Sequence, residues 1–326
     1  MTEVVASADF FARQAQNRRR SFLLIASFLL FFLVLGFGVD VTWIGFLGGG
    51  VPWPIATTVA VSLATLLSAE AYFRGSRLVM FSLCAEPLNL DDPQQRELQN
   101  IVTEMAIAAG LPMPQLFLIP DPAPNALASG RDPRHAVLGV TEGLLQLMDR
   151  EEIQGVVAHE MSHIANRDTL TMTLVGVLFG GAVMLSDWAR RTMSLPSEER
   201  RGGPLLFVLV VVLIAITPLA SRLLAMAVSR QREYLADATA AQLTRNPLGL
   251  AHALEKIGAT TSPLRAATRG TAHLFISNPW PRKVDEREGR LADLLSSHPP
   301  LTQRIAILKQ MAHSGYGTAA SSSSPS

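Results

Sequence analysis

Long runs of uncharged residues constrain this chain more than any other feature of its sequence. The first run covers residues 21–39 and is rich in Leu and Phe. It is long enough to cross a bilayer, which takes about 20 consecutive apolar residues in a helix. A second run covers 41–69 and contains three consecutive glycines at 48–50 and two prolines. We therefore predict two membrane-spanning helices, the second beginning near Pro54.

A cleaved signal peptide is the alternative for the first run. The apolar part of such a peptide is usually about 7–15 residues long, and this run is longer. Because a second apolar run follows closely, a retained helical hairpin is favoured. Arg18 and its neighbours precede the hairpin, Arg74 and Arg77 follow it, and its loop has no Lys or Arg. This asymmetry predicts that both ends of the hairpin lie in the cytoplasm.

Two further uncharged runs lie at 169–186 and 204–221. Each is close to the lower limit of about 17 residues for a transmembrane helix, and burial in a large soluble core is the alternative. The loop between them carries four arginines, whereas positive loops normally stay in the cytoplasm. This second hairpin therefore either spans the bilayer against that rule, or dips into the membrane or packs on another part of the chain.

Composition excludes several classes of protein. Charged residues make up 17% of the chain, compared with about 25% in a typical soluble domain, which fits a membrane protein. The net charge of +1 gives no basic excess that would indicate nucleic-acid binding. The single cysteine, Cys84, cannot form an internal disulfide, so a disulfide-stapled secreted scaffold is excluded.

The polar segments predict an α+β arrangement. Buried strands are predicted at 115–119, 125–129 and 135–140, and helices at 91–110, 141–148, 223–243, 248–257 and 301–311. Asp149 followed by Glu152 predicts a capping box at the start of one more helix. That helix carries the most specific motif of the chain.

The pentapeptide HEMSH at 159–163 is this motif. On a helix, His159 and His163 lie on one face, so both imidazoles can reach a single metal ion. Zinc accepts such nitrogens at about 2.0–2.1 Å. Glu160 points elsewhere and could take a proton from a water molecule beside the metal. The alternative is a solvated helical face that happens to carry two histidines.

A catalytic zinc site needs a third protein ligand. Glu233 and Asp237 are four residues apart on a predicted helix, so one carboxylate could bind the metal while the other orients a ligand imidazole. An exposed acidic face paired with Arg230 and Arg232 explains the same spacing, and spacing alone leaves the choice open. The remaining histidine candidates are His252, His273, His298 and His313.

Three segments resemble a known family: HEMSHIANRD (159–168), SRQREYLADA (229–238) and SSHPPLTQRI (296–305). With the order of the apolar runs, they resemble the HtpX-type membrane zinc metalloproteases, gluzincins related to the CAAX prenyl proteases. The resemblance covers nearly the whole chain except the tail. It implies a predominantly α-helical integral membrane protein with an α+β zincin-like catalytic domain, which contains a small β-sheet and the HExxH helix.

The resemblance implies roles for single residues. His159, His163 and Glu233 would bind one Zn²⁺ per chain, Glu160 would be the general base, and Asp237 would support a ligand.

Other roles implied by the resemblance have a structural alternative. His298 would lie near the site and help to stabilise the oxyanion, although capping or packing before the last helix is equally expected. Asp168 fits the family spacing, although a local cap or ion pair would explain it too.

A strand that meets the substrate is also implied by the resemblance. It would consist of Asn125, Ala126, Leu127 and Ala128, and a free strand edge can add an extended peptide. A core strand beside a turn is the alternative.

The expected organisation is a membrane hairpin over 1–80, a protease domain over 81–168 and 222–312, the second apolar hairpin over 169–221 and a disordered tail over 313–326. The leading hypothesis is an endopeptidase of the bacterial cytoplasmic membrane with its active site on the cytoplasmic side. It would cleave membrane proteins, misfolded ones above all, or other unfolded polypeptides. A processing peptidase for specific tails and a non-catalytic scaffold that retains the zinc site are the alternatives, and Glu160 argues against the scaffold.

Overall fold

The computed structural model describes residues 2–47, 53–179, 230–268, 270–279 and 299–320. Within these residues helices dominate and four short strands form one mixed sheet, which confirms the predicted fold class. The elements in chain order are α1 (Thr2–Leu47), α2 (Ile55–Ser82), β1 (Glu86–Pro87), α3 (Pro93–Ala109), β2 (Gln115–Ile119), β3 (Ala126–Gly130), β4 (Ala136–Thr141), α4 (Glu142–Leu147), α5 (Arg150–Ala165), α6 (Asp168–Leu174), α7 (Arg230–Thr244), α8 (Pro247–Ala259) and α9 (Leu301–Ala320).

Helices α1 and α2 form the first hairpin and pack against each other. Each contains a segment long and apolar enough to cross a bilayer, Ala15–Val41 and Ile55–Ser82. Their outward surfaces carry exposed apolar side chains, among them Leu30, Val34, Phe37, Val59 and Leu66. Exposing such an apolar surface to water is unfavourable, so it is suited to contact with lipid.

The hairpin differs from the sequence prediction in the length of its second helix. Helix α2 begins one residue after Pro54, as expected, but continues past residue 69 to Ser82. The added turns carry charge, and Arg74 pairs with Glu70 one helical turn away. Such pairs support a helix that leaves the apolar layer. At the other end, the carboxylate of Asp40 accepts hydrogen bonds from the backbone N–H groups of Ala56 and Thr57.

The second apolar hairpin lies mostly outside the described residues, since these stop at 179 and resume at 230. Its first part forms α6, which continues as a π-helix over Val175–Phe179. Leu174 and Leu178 of this segment pack with Phe28 of α1 and Ala64 of α2. The start of the third run therefore joins the first hairpin, and whether the run spans the bilayer stays a prediction.

The sheet has the order β1-β2-β4-β3. Strand β4 is parallel to β2 and antiparallel to β3, with Leu127 opposite Gly139. Strand β3 is therefore an edge strand of the sheet. The main core lies between one face of this sheet and helices α3, α5 and α8, and it includes the fully buried Leu138, Val157 and Leu254.

Helix α5 is fixed at its start and along one side. The predicted capping box is confirmed: the Asp149 carboxylate accepts a hydrogen bond from the Glu152 N–H, and the Glu152 carboxylate accepts one from the Asp149 N–H. Farther along, a Cβ atom on Gly155 would lie 2.6 Å from the backbone nitrogen of Leu250 in α8. Only glycine allows the two helices to approach this closely.

Helix α9 continues to Ala320, into the segment 313–326 for which the sequence predicted a disordered tail. Disorder in the remainder of that segment stays a prediction. Residues 321–326 lie outside the described part of the chain.

Candidate active site

Helix α5 places His159 and His163 side by side in the interior, as the i, i+4 spacing predicted. Their side chains are 0% and 6% exposed. The Nε2 atoms of the two rings are 3.3 Å apart, and the rings are nearly perpendicular. Both Nε2 atoms therefore point to one place.

Helix α7 brings Glu233 to the same place. Its Oε2 atom lies 3.8 Å from Nε2 of His159, and its Oε1 atom lies 3.7 Å from Nε2 of His163. Glu233 and Asp237 are both buried, so this side of α7 is not an exposed acidic face. Within the described residues, His159, His163 and Glu233 form a group whose ligand atoms all lie within 4.8 Å of one another.

This donor set fits a zinc ion. Two ligand atoms about 2.0–2.1 Å from one tetrahedral ion lie about 3.3 Å apart, which agrees with the separation of the imidazole nitrogens. The carboxylate separations are slightly longer and need only a small adjustment of one side chain. Two imidazoles and one carboxylate are also the ligand set of several catalytic zinc sites.

The far side of His159 rests on a buried ion pair. Its Nδ1 atom lies 3.0 Å from Oδ1 of Asp237, and this contact orients the ring. Arg304 of α9 binds the same carboxylate with two hydrogen bonds, 2.8 Å from Nε and 2.7 Å from Nη2. A third bond from its Nη1 atom goes to the carbonyl of Ile276. The sequence analysis missed Arg304, although it lies within the quoted segment 296–305.

The far side of His163 has a looser support. Its Nδ1 atom is 3.4 Å from Oδ2 of Asp168, the first residue of α6. The other carboxylate oxygen accepts a hydrogen bond from Asn17 of α1 and lies 3.7 Å from Nη1 of Arg232. Asp168 therefore joins the HExxH helix, the first membrane helix and α7, and the sequence analysis missed the part that Asn17 has in this.

Glu160 lies between the two histidines in sequence but points toward the sheet. It is 2% exposed, and the backbone N–H of Ala128 in β3 donates a hydrogen bond to its carboxylate. Burial raises the pKa of this carboxyl to about 7, the positive charge of His163 opposes the shift and Glu233 adds to it. A carboxylate with such a pKa is well matched to proton transfer near neutral pH.

The sequence of this chain matches known proteins over most of its length. The sequence profile of peptidase family M48 matches residues 92–312. A Protease HtpX homolog from Caldanaerobacter subterraneus subsp. tengcongensis is 42% identical over 306 residues, which cover 91% of this chain and 96% of that protein. One from Pyrococcus furiosus is 39% identical over 273 residues and covers 82% of this chain and 90% of its own. The chain belongs to peptidase family M48.

Among solved structures, S. mikatae Ste24p matches with a TM-score of 0.45 and 18% identity, over 91% of this chain and 67% of its own. Membership of family M48 and the HtpX relatives confirm the resemblance inferred from the sequence. This M48 peptidase is a membrane metalloprotease and a hydrolase.

The charges around the M48 site favour a bound cation. Burial lowers the pKa of His159 to about 4, so this ring is neutral and able to donate a lone pair. Burial on its own would lower the pKa of His163 too, but the hydrogen bond to Asp168 and the negative charge of Glu233 outweigh it and raise the pKa to about 9. The negative field that holds a proton there also favours a metal ion, which would replace that proton.

The predicted substrate strand forms β3 and its approach. Residues 126–128 belong to β3, while Asn125 precedes it and donates a side-chain hydrogen bond to the carbonyl of Ser277. The outer edge of β3 already meets an extended partner, because Leu127 and Phe275 form an antiparallel bridge. There the N–H of Ile276 donates to the carbonyl of Ala126.

The other histidine candidates lie elsewhere or outside the described residues. His252 and His313 are exposed, and the buried His273 bonds the carbonyl of Met172 through Nε2. His298 falls in the segment 280–298, outside the described part of the chain, so its role stays a prediction.

Proposed function

We propose that this M48 peptidase is a zinc-dependent endopeptidase of the bacterial cytoplasmic membrane, which hydrolyses peptide bonds of membrane proteins, misfolded ones above all, on the cytoplasmic side. One observation carries the proposal: His159, His163 and Glu233 converge on one point, and the charges of His163 and Glu233 both act on the buried carboxyl of Glu160. Two imidazoles and a carboxylate leave a fourth position of a tetrahedral zinc ion open, as catalytic sites do.

This arrangement suggests a separate chemical role for the metal, for Glu160 and for the two aspartates. His159, His163 and Glu233 would hold the zinc ion, which would supply Lewis acidity for the peptide carbonyl and for an attacking water molecule. Glu160, a buried carboxylate beside the site, would accept the proton of that water and return it to the leaving amine. The ligand rings are held in place by Asp237 and Asp168, so they do not reorganise during the reaction.

The substrate class is supported by strand β3 and by the membrane hairpin. The bridge between Leu127 and Phe275 indicates that the edge of β3 accepts an extended antiparallel partner. A substrate peptide would take the place of that partner and pair through its backbone, which favours unfolded segments over one side-chain sequence. Because α6 follows the site helix and contacts both α1 and α2, the site lies close to the membrane hairpin.

Hydrolysis of casein by the purified full-length protein tests the function. We expect activity that a chelator abolishes and that added zinc restores. Glu160→Gln keeps the shape of the side chain but cannot accept a proton, and we expect it to bind zinc while losing about 10²–10⁴-fold in rate. Wild-type hydrolysis by zinc-loaded Glu160→Gln would eliminate the mechanism, and an inactive wild-type enzyme with bound zinc would favour a scaffold.

A separate experiment tests the orientation. Arginines flank both ends of the α1–α2 hairpin, so a reporter fused after Arg77 is expected to behave as cytoplasmic. A cysteine introduced at Gln154, on the active-site helix, should be protected from a membrane-impermeant reagent in intact cells. Labelling of that cysteine from outside would overturn the proposed cytoplasmic face.

A further inference from the structure

Asn17 is a buried polar residue in the first membrane helix. Its side chain is 5% exposed, at the point where α1 crosses α6. The Nδ2 atom donates to the carbonyl of Asn166 at 3.0 Å and to Oδ1 of Asp168 at 2.5 Å. A buried amide is unfavourable unless it is hydrogen-bonded, and these two bonds satisfy both of its N–H groups.

Asp168 is held between competing partners. Its Oδ2 atom faces Nδ1 of His163 at 3.4 Å, while its Oδ1 atom lies 3.7 Å from Nη1 of Arg232. That guanidinium nitrogen is buried and makes no hydrogen bond within the described residues. Arg232 attracts the same Oδ1 atom that Asn17 binds, so loss of Asn17 would leave the carboxylate to move toward this cation.

We propose that Asn17 is a positioning residue for the metal ligand His163. By binding Oδ1 of Asp168, it holds the carboxylate in the rotamer that supports the imidazole and keeps it from Arg232. The first membrane helix thus acts as part of the metal site in addition to anchoring the protein. The inference rests on the proposed zinc site, and it assigns the orientation of one ligand to a residue at the start of the first membrane span.

The chain offers a matched control one helical turn farther along α1. Ser21 is also buried, and its hydroxyl bonds that of Thr171 in α6 at 2.8 Å. Loss of either side chain removes a polar contact between α1 and α6. Of these two residues, only Asn17 contacts the carboxylate that supports His163. Comparing variants of Asn17 and Ser21 therefore distinguishes docking of the helix from positioning of the ligand.

The experiment measures zinc affinity of the full-length protein by competition with a chelator, together with kcat and KM. Asn17→Ala removes both donors, and Asn17→Leu removes them while keeping the same number of side-chain heavy atoms and the same branching. Loss of a group directly behind a zinc ligand typically weakens binding about 10–100-fold. Because Asn17 acts through Asp168, we expect both variants to bind zinc several-fold more weakly than the wild type, and no more weakly than Asp168→Asn. At saturating zinc, kcat should fall more than KM rises. Ser21→Ala should keep the wild-type zinc affinity.

Two results would overturn the inference. Wild-type zinc affinity in Asn17→Leu would show that the amide donors do not matter, and an equal loss in Ser21→Ala would show that only helix docking matters. His163→Ala distinguishes failure of the proposed function: if it binds zinc as tightly as the wild type, the metal site itself is wrong and the inference falls with it.

Discussion

The two histidines of the site are supported from opposite sides, and the two sides are built differently. Behind His159, Asp237 lies 3.0 Å from the ring and receives two hydrogen bonds from the fully buried Arg304. Behind His163, Asp168 lies 3.4 Å from the ring and shares its other oxygen between Asn17 and Arg232. The support of His159 is a hydrogen-bonded ion pair. The support of His163 is a longer contact to a carboxylate that has two further partners.

The difference matters because the two supports come from different parts of the fold. Helices α7 and α9 of the peptidase domain provide the support of His159, whereas α6 and the membrane helix α1 provide that of His163. The first ligand is therefore held by the catalytic domain alone. The support of the second reaches the hairpin through Asn17, so the proposal above couples membrane anchoring to metal binding on this side of the site.

The largest effect should come from breaking the ion pair between Asp237 and Arg304 behind His159. Arg304→Met leaves the Asp237 carboxylate buried without its cation, and such a loss typically costs about 3–5 kcal/mol of stability. Arg232→Met on the other side should cost less, because Asp168 keeps its hydrogen bond from Asn17. Thermal unfolding in detergent with zinc removed would measure both. An Arg304→Met protein as stable as Arg232→Met would contradict the comparison.

Arg304 and Asn17 also show where prediction from the sequence ends. The HExxH spacing, the Glu233–Asp237 spacing and the capping box each involve residues of a single helix. The structure shows each of them as helical geometry predicts. The bond from Arg304 to Asp237 joins residues 67 positions apart. Nothing in the helical pattern of α9 shows that an arginine occupies a core position. Such contacts depend on how distant elements pack.

The strands show the same limit of prediction from the sequence. Short buried runs bounded by prolines and turn residues predicted Gln115–Ile119 with its observed bounds, and β3 and β4 within one residue at each end. The pairing of Leu127 with Phe275 could not be predicted, since the segment around Phe275 is too short to show a strand pattern. The bond between Asn17 and Asp168, 151 positions apart, is a still clearer case.

A smaller effect should distinguish the two supports by metal affinity. Asp237→Asn and Asp168→Asn each weaken the acceptor behind one ligand ring without a large change in shape. We expect Asp237→Asn to weaken zinc binding about 10–100-fold, and Asp168→Asn to weaken it less, because its contact to the ring is longer. Chelator competition on both purified variants measures the ratio. A greater loss in Asp168→Asn would reverse the proposed order of the two supports.

The smallest effect tests whether metal affinity simply follows stability. Asp149→Ala removes the N-terminal cap of α5, the helix that carries both histidines, but the cap lies more than two turns from His159. Loss of such a cap typically costs about 1 kcal/mol. Since the partners behind both rings stay in place, we expect a lower unfolding temperature together with unchanged zinc affinity. If Asp149→Ala instead lost zinc in proportion to its stability, the weaker binding of Asp237→Asn and Asp168→Asn would reflect general loosening of α5. The supports behind the two ligands would then no longer explain the affinity of the site.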